Sequence, residues 1–171
     1  RLRYTSPHPQ DINIELLKVM ADYENICNYV HLPLQSGSNK ILKRMNRTYT
    51  MEHFIELSRK IREILPNAGI STDIIVGFPG ESDNDFIDTI KVMEEVRFDS
   101  AFTFKYSTRK GTKASEYDDQ IDEVIKQKRL EEVISLQKSH TIYRNQKYIG
   151  MIEDVLIEKV SKRKDSKWAG R

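Results

Sequence analysis

One cysteine, Cys27, is all the sequence offers, so no internal disulfide can form and no multi-cysteine metal centre can be built from these residues alone. No run approaches the roughly 18 apolar residues that a membrane span needs, and no secretory hydrophobic segment is visible. The expected compartment is therefore the cytoplasm, with no membrane contact. An excess of either charge is missing too. The 28 basic residues face 26 acidic ones, so bulk composition does not mark a nucleic-acid binder. The absence of a glycine-rich phosphate loop counts against a barrel enzyme for a sugar or phosphate ligand. Residues 1–6 already read as a strand with no initiator methionine in front, so a longer native chain is expected. The 171 residues suffice for one well-cored domain plus a fragment of another.

What is present is ordered. After the strand at 1–6, Ser-Pro-His-Pro at 6–9 forbids regular structure. A helix is expected from Asp11 as cap to Tyr23, with Ile14, Leu17, Val19 and Met20 toward the core. A second strand spans 28–34, a short helix runs through Ile41, Leu42 and Met45, and Thr50 caps a longer helix that ends near Pro66. A third strand covers 70–76, a helix from Ser82 to about Val96 carries Phe86, Ile87, Ile90 and Met93, and a fourth strand covers 99–106. Alternation of this kind requires crossovers between parallel strands, so the class is α/β. A polar loop then leads to a long helix at about 121–143, and 151–160 alternates as a strand would. A domain boundary is expected at 148–150, dividing 1–147 from a β-rich module at 148–171 that is cut short. Its tail holds Lys162, Arg163, Lys164, Lys167 and Arg171 against Asp165, with Trp168 among them.

The segment 70–81, ISTDIIVGFPGE, is the most informative. Ser71, Asp73, Ile75 and Gly77 share one strand face, and Ile70, Thr72, Ile74 and Val76 the other. Gly77 lets a backbone approach a bound molecule, Pro79 stiffens the loop, and Ser82 with Asp85 reads as a cap with its partner. The same alternation puts Val30, Leu32 and Leu34 opposite Tyr29, His31 and Gln35. It puts Leu2 and Tyr4 opposite Arg3 and Thr5, and Phe102, Phe104 and Tyr106 opposite Thr103 and Lys105. One side is apolar and suits helices; the other is unusually polar. A flat sheet with one solvated face explains this, and so does a splayed barrel around a polar ligand cavity. The loops past the strand ends, SPHP, PLQSGS, GFPGES and YSTRKGT, have ligand-facing composition.

Three segments, HLPLQSGSNKILKRMNRTYT at 31–50, STDIIVGFPGES at 71–82 and FDSAFTFKYSTRKGT at 98–112, resemble the C-terminal part of the radical S-adenosylmethionine (SAM) domain of methylthiotransferases. RLRYTSPHP at the start and SKRKDSKWAGR at the end resemble the branch that methylthiolates C2 of isopentenyladenosine beside the tRNA anticodon. The resemblance implies an incomplete six-stranded (β/α) barrel holding SAM, followed by the first strand of a TRAM domain, a small β-barrel that contacts tRNA. By that resemblance Gln35 holds the SAM ribose, Arg47 and Asp73 contact its polar parts, and Ile75 and the Gly77 backbone lie against the adenine.

The resemblance also implies two 4Fe-4S clusters in the intact enzyme. Their cysteines lie outside this chain, which by itself is expected to be inactive. The implied partner is the tRNA anticodon stem-loop, and the intact protein is expected to be a monomer. No residue is given a catalytic or metal-binding role. His31 reads as a hydrogen-bonded structural residue, and Glu81 as an exposed loop acid or a charge at a helix N-terminus. Two other readings stay open. One is a sibling acting on threonylcarbamoyladenosine or a ribosomal protein; the other is a non-catalytic RNA-binding module that works through its basic tail.

Overall fold

The computed structural model describes residues 2–3, 8–161 and 167–170. Most of the expected first strand and of the basic tail therefore lies outside the described residues. What is described of that strand is a parallel bridge from Leu2 to Ile26.

Helix α1 spans Ile14–Asp22 and is capped by Asn13, whose side chain accepts from Leu16 N–H, rather than by Asp11. It buries Leu17 and Met20, while Ile14 and Val19, expected inside, are 45% and 44% exposed. Strand β1 is short, Tyr29–His31, and past it Leu34 N–H turns to the Thr72 side chain, to Oγ1 at 3.0 Å, in place of a ladder carbonyl. The chain beyond it still follows its neighbour: Leu32 N–H donates to Ser71 O and Gln35 N–H to Asp73 O. Helix α2 is Asn39–Arg44, capped by Ser38, and α3 is Met51–Ile64, capped by Thr50. Strand β2 is Gly69–Val76. Helix α4, Asp83–Val96, opens on a complete capping box in which Ser82 and Asp85 exchange bonds, as their spacing predicts. Strand β3, Ser100–Lys105, is followed by α5, Glu123–Asn145.

The three strands form one parallel sheet in the order β1, β2, β3, as the alternation of strands and helices requires. On its helix side Val30, Leu32, Leu34, Ile70, Ile74 and Val76 are fully buried. Phe54 and Phe98 meet edge to face at 6.1 Å in the same core, where each such side chain is worth about 1.5–3 kcal/mol.

Strand β3 departs from expectation. Its register sets Phe102 beside Asp73 and Phe104 beside Ile75. Laterally paired residues of a sheet point the same way, so the phenylalanines belong to the polar face, 57% and 53% exposed. Thr103 and Lys105 face the helix side, where Lys105 Nζ meets Glu123 of α5 at 2.6 Å. The helix over this strand, α5, buries Lys126, Arg129, Gln137 and His140 as well as Val133, so it offers hydrogen-bonding groups beside its apolar ones. Gln137 Nε2 of that helix donates to Phe98 O at 2.9 Å, and Thr141 Oγ1 donates to Asp99 O at 3.0 Å.

After a 3-10 turn at Gln146–Tyr148 the chain runs exposed, and only Ile157–Val160 of the expected 151–160 strand forms, as β4. It pairs antiparallel with β5, Trp168–Gly170. No described helix is long and apolar enough to cross a membrane.

Candidate functional site

The end of α2 shows how local sequence aims a side chain. Asn46 takes a left-handed conformation at φ 57°. Asn46 N–H then donates to Lys43 O at 3.0 Å, and Arg47 N–H to Leu42 O at 2.9 Å. This double bond closes a helix with a C-terminal asparagine, a residue whose short polar side chain tolerates that geometry. It turns the chain so that Arg47 enters a cavity of about 980 Å³ at the C-terminal end of β2.

Gln35, Asp73 and Ile75 line the same cavity. Gln35 is also left-handed, at φ 66°, a conformation costing a non-glycine residue of the order of 1–3 kcal/mol. The ladder holds it there: Gln35 N–H donates to Asp73 O at 2.8 Å, and Ile75 N–H donates to Gln35 O at 2.9 Å. Four of the five residues singled out from sequence thus meet in one place. Gly77, the fifth, is not among the lining residues. Its φ is 70°, its N–H donates to Glu81 Oε2 at 2.7 Å, and a Cβ there would lie 2.3 Å from Lys126 Cγ. Its lack of a side chain makes room for a lysine stem of α5.

Three buried polar atoms of the lining have no partner among the described residues, Arg44 Nε, Arg47 Nε and Tyr106 OH. Among the described residues Asp73 bonds through Oδ2 alone, to His31 Nε2 at 3.3 Å. Buried polar groups are normally paired, so the guanidinium nitrogens and the phenol are set to take a ligand's hydrogen bonds, and the partly exposed Asp73 carboxylate keeps an oxygen open to hydroxyl donors. Ile75, Phe78 and Phe104 supply apolar wall. Tyr49 backs the site, its OH donating to Pro33 O and Leu34 O at 2.9 and 3.1 Å. Burial pushes this phenol up to about 12; Arg47 opposes the rise and Asp73 adds to it.

The rim is cationic. Lys43, Arg44, Lys105, Arg109 and Lys113 line the opening. Arg44 is occupied by Asp119 at 2.7 Å and lies 4.4 Å from the Tyr117 ring, which pins the loop after β3 across the cavity. Lys105 is taken by Glu123. Lys43, Arg109 and Lys113 have no ion-pair partner among the described residues. The sequence marks the YSTRKGT loop, which holds Tyr106 and Arg109, but gives neither of them, nor Lys113 just beyond it, a part in the site. The signal available was the position of that loop, directly past a strand end.

Glu81 is 2% exposed rather than a surface acid. Arg129 Nη1 donates to its Oε2 at 2.7 Å and to its carbonyl at 3.0 Å. Desolvation pushes its carboxyl up, against the Gly77 N–H and Arg129. This pair ties α5 to the loop after β2. Asp85 does the same for the QSGS loop, accepting from Ser38 Oγ at 2.6 Å and Lys40 Nζ at 2.8 Å. Desolvation would raise its carboxyl, yet the bonds from Lys40, Ser38 and Ser82 outweigh it and hold it well below the usual range. Cys27 is half-buried and free, and no described cluster of three or more His, Cys, Asp or Glu side chains could hold a metal.

A family model, that of the Radical SAM superfamily, matches residues 2–93, more than half of the chain. The chain is 48% identical over its whole length to a tRNA-2-methylthio-N(6)-dimethylallyladenosine synthase of Thermoanaerobacter sp. (strain X514), covering 36% of that protein. It is 46% identical over 92% of its length to a protein of the same name from Pelotomaculum thermopropionicum, covering 35% of it. It is 43% identical to one from Clostridium botulinum, covering 38%. The chain thus spans little more than a third of the curated relatives it matches. Among solved structures, coproporphyrinogen III oxidase from Escherichia coli, a radical SAM enzyme, superposes with a TM-score of 0.64 at 23% identity, over 78% of this chain and 31% of that one. The archaeal Methanocaldococcus infernus Elp3 with an N-terminal deletion superposes at 0.56 and 21%, over 77% and 31%. At these identities the likeness is one of fold.

Proposed function

We propose, since the chain belongs to the radical SAM superfamily, that its cavity is the SAM-binding half of an enzyme that methylthiolates C2 of N6-dimethylallyladenosine next to the tRNA anticodon. The observation that carries the cofactor reading is the set of unsatisfied groups in one pocket, Arg44 Nε, Arg47 Nε and Tyr106 OH beside a carboxylate bonded through a single oxygen. SAM has complementary chemistry at each point. Arg47 suits its carboxylate, Asp73 and Gln35 suit ribose hydroxyls, and Ile75 suits the adenine. Gly77 acts one step back, admitting Lys126 so that α5 can close against the loop. Bound there, SAM supplies the radical precursor and the methyl group that methylthiolation needs.

The residues present do not fit an iron-sulfur cluster. The two 4Fe-4S clusters of this reading take their cysteines from other segments, and those segments also supply the remaining strands of a six-stranded partial barrel. Residues 1–147 belong to that barrel and 148–171 begin a TRAM-like RNA-binding module, in a cytoplasmic protein that is a monomer when intact. The RNA reading rests on the unpaired Lys43, Arg109 and Lys113 at the mouth, where cations attract phosphate.

The test uses the protein at the full length of its relatives, with clusters reconstituted. Asp73→Asn and Arg47→Ala should each weaken SAM at least about tenfold by equilibrium titration; unchanged affinity in both overturns the cofactor reading. Deleting the gene should remove 2-methylthio from dimethylallyladenosine in bulk tRNA, read by mass spectrometry. Loss of the threonylcarbamoyl-linked modification instead would move the assignment to the sibling enzyme. Removing residues 148–171 should weaken anticodon stem-loop binding without abolishing it.

A further inference from the structure

The cavity-side face of β1 and β2 carries a chain of hydrogen bonds that ends at Asp73. Tyr29 OH donates to Ser71 Oγ at 2.6 Å, Ser71 Oγ lies 2.8 Å from His31 Nδ1, and His31 Nε2 lies 3.3 Å from Asp73 Oδ2. The strand register makes it possible. Tyr29 pairs with Gly69 and His31 with Ser71, and Tyr29 Cδ2 would lie only 3.2 Å from a Cβ at position 69. The glycine leaves room for the phenol ring to lie along the strand. Phe102 meets the imidazole edge to face at 6.0 Å.

Proton counting fixes the direction of the chain. Ser71 is fully buried and already accepts the Tyr29 hydroxyl, so its own proton is best satisfied by His31 Nδ1. That leaves the imidazole proton on Nε2, pointing at a carboxylate. The opposite tautomer would face a lone pair toward Asp73 and leave the serine proton without an acceptor. We infer that His31 is a positioning residue. As the Nε2–H tautomer, oriented by Ser71 and Tyr29, it holds Oδ2 of Asp73 and so presents Oδ1 to the ligand's hydroxyls. Asp73 is a partly exposed side chain that would otherwise sample several rotamers, and fixing it removes an ordering cost from binding. The ligand half of this inference rests on the cofactor reading above; the tautomer half does not.

Two measurements test it. In the chain itself, long-range proton–nitrogen correlation of the His31 ring should show the Nε2–H tautomer, and Ser71→Ala should shift the population toward Nδ1–H; a wild-type Nδ1–H ring overturns the proposal. In the full-length protein with clusters reconstituted, His31→Ala should weaken SAM about tenfold, the scale of a hydrogen bond to a charged group. His31→Gln, which keeps a donor at the same reach, should restore most of that loss. Placing His31→Ala on top of Asp73→Asn should cost nothing further, because the two act through one contact. If Asp73→Asn weakens SAM and His31→Ala does not, with both folded by circular dichroism, the positioning role fails while the cofactor reading stands. If Asp73→Asn has no effect, the cofactor reading fails and takes the ligand half with it.

Discussion

Strands β2 and β3 lie side by side in one register, yet they direct their apolar side chains oppositely. β2 sends Ile70, Ile74 and Val76 to the helices, all fully buried, and keeps Ser71 and Asp73 for the cavity face. β3 sends Phe102 and Phe104 to the cavity and Thr103 and Lys105 toward α5. The difference shows that a strand's covered face is decided by its cover. α3 and α4 offer β2 an apolar layer; α5 offers β3 hydrogen-bonding groups, so Thr103 can be half-buried there and Lys105, itself exposed, can reach Glu123. The cavity in turn gains an aromatic wall beside its polar one.

That contrast can be broken most severely at α5. Arg129→Met should cost about 4 kcal/mol, because it leaves Glu81 buried and uncompensated; denaturant unfolding reads it, and the double variant with Glu81→Leu should recover much of the loss. Ile74→Ala on the helix side of β2 should cost about 3 kcal/mol as a buried cavity. The pH dependence comes next. Tyr49 is raised from 10.0 to about 12 when folded, so its neutral form is preferred in the native state. The stability this represents is complete below pH 10 and is lost as pH rises toward 12, an effect of about 2–3 kcal/mol. Tyr49→Phe should flatten that part of an alkaline unfolding profile. The smallest effects belong to β3: Phe102→Ala and Phe104→Ala should each stay within about 1 kcal/mol, since half of each ring is in solvent. If Phe104→Ala destabilised as much as Ile74→Ala, the two strands would not differ as described.

Much of the scaffold was readable locally. The Ser82 and Asp85 capping box, the Thr50 and Ser38 caps and the alternation of β2 depend on neighbours within a few residues. Gln35 and Arg47 lie just past a strand end and a helix end, and Asp73 and Ile75 share the cavity face of β2, so the four meet where those signals set the elements. The first helix is capped by Asn13 and not by Asp11, and Val19, two residues on from the buried Leu17, falls on the opposite side of a helix with 3.6 residues per turn and so points outward. Glu81 was misread because its partner, Arg129, lies 48 residues away. Nothing in GFPGE announces a buried acid.

The sequence by itself determined the α/β order, the caps, and a strand with a carboxylate on one face and aliphatic groups on the other, because periodicity and capping are properties of short stretches of chain. Only the tertiary structure decided which way β3 faces, what fills the space at Gly77, and that His31, Ser71 and Tyr29 stand behind Asp73. Those outcomes depend on register between strands and on the approach of α5, where contacts between distant residues choose among arrangements that each segment alone would allow.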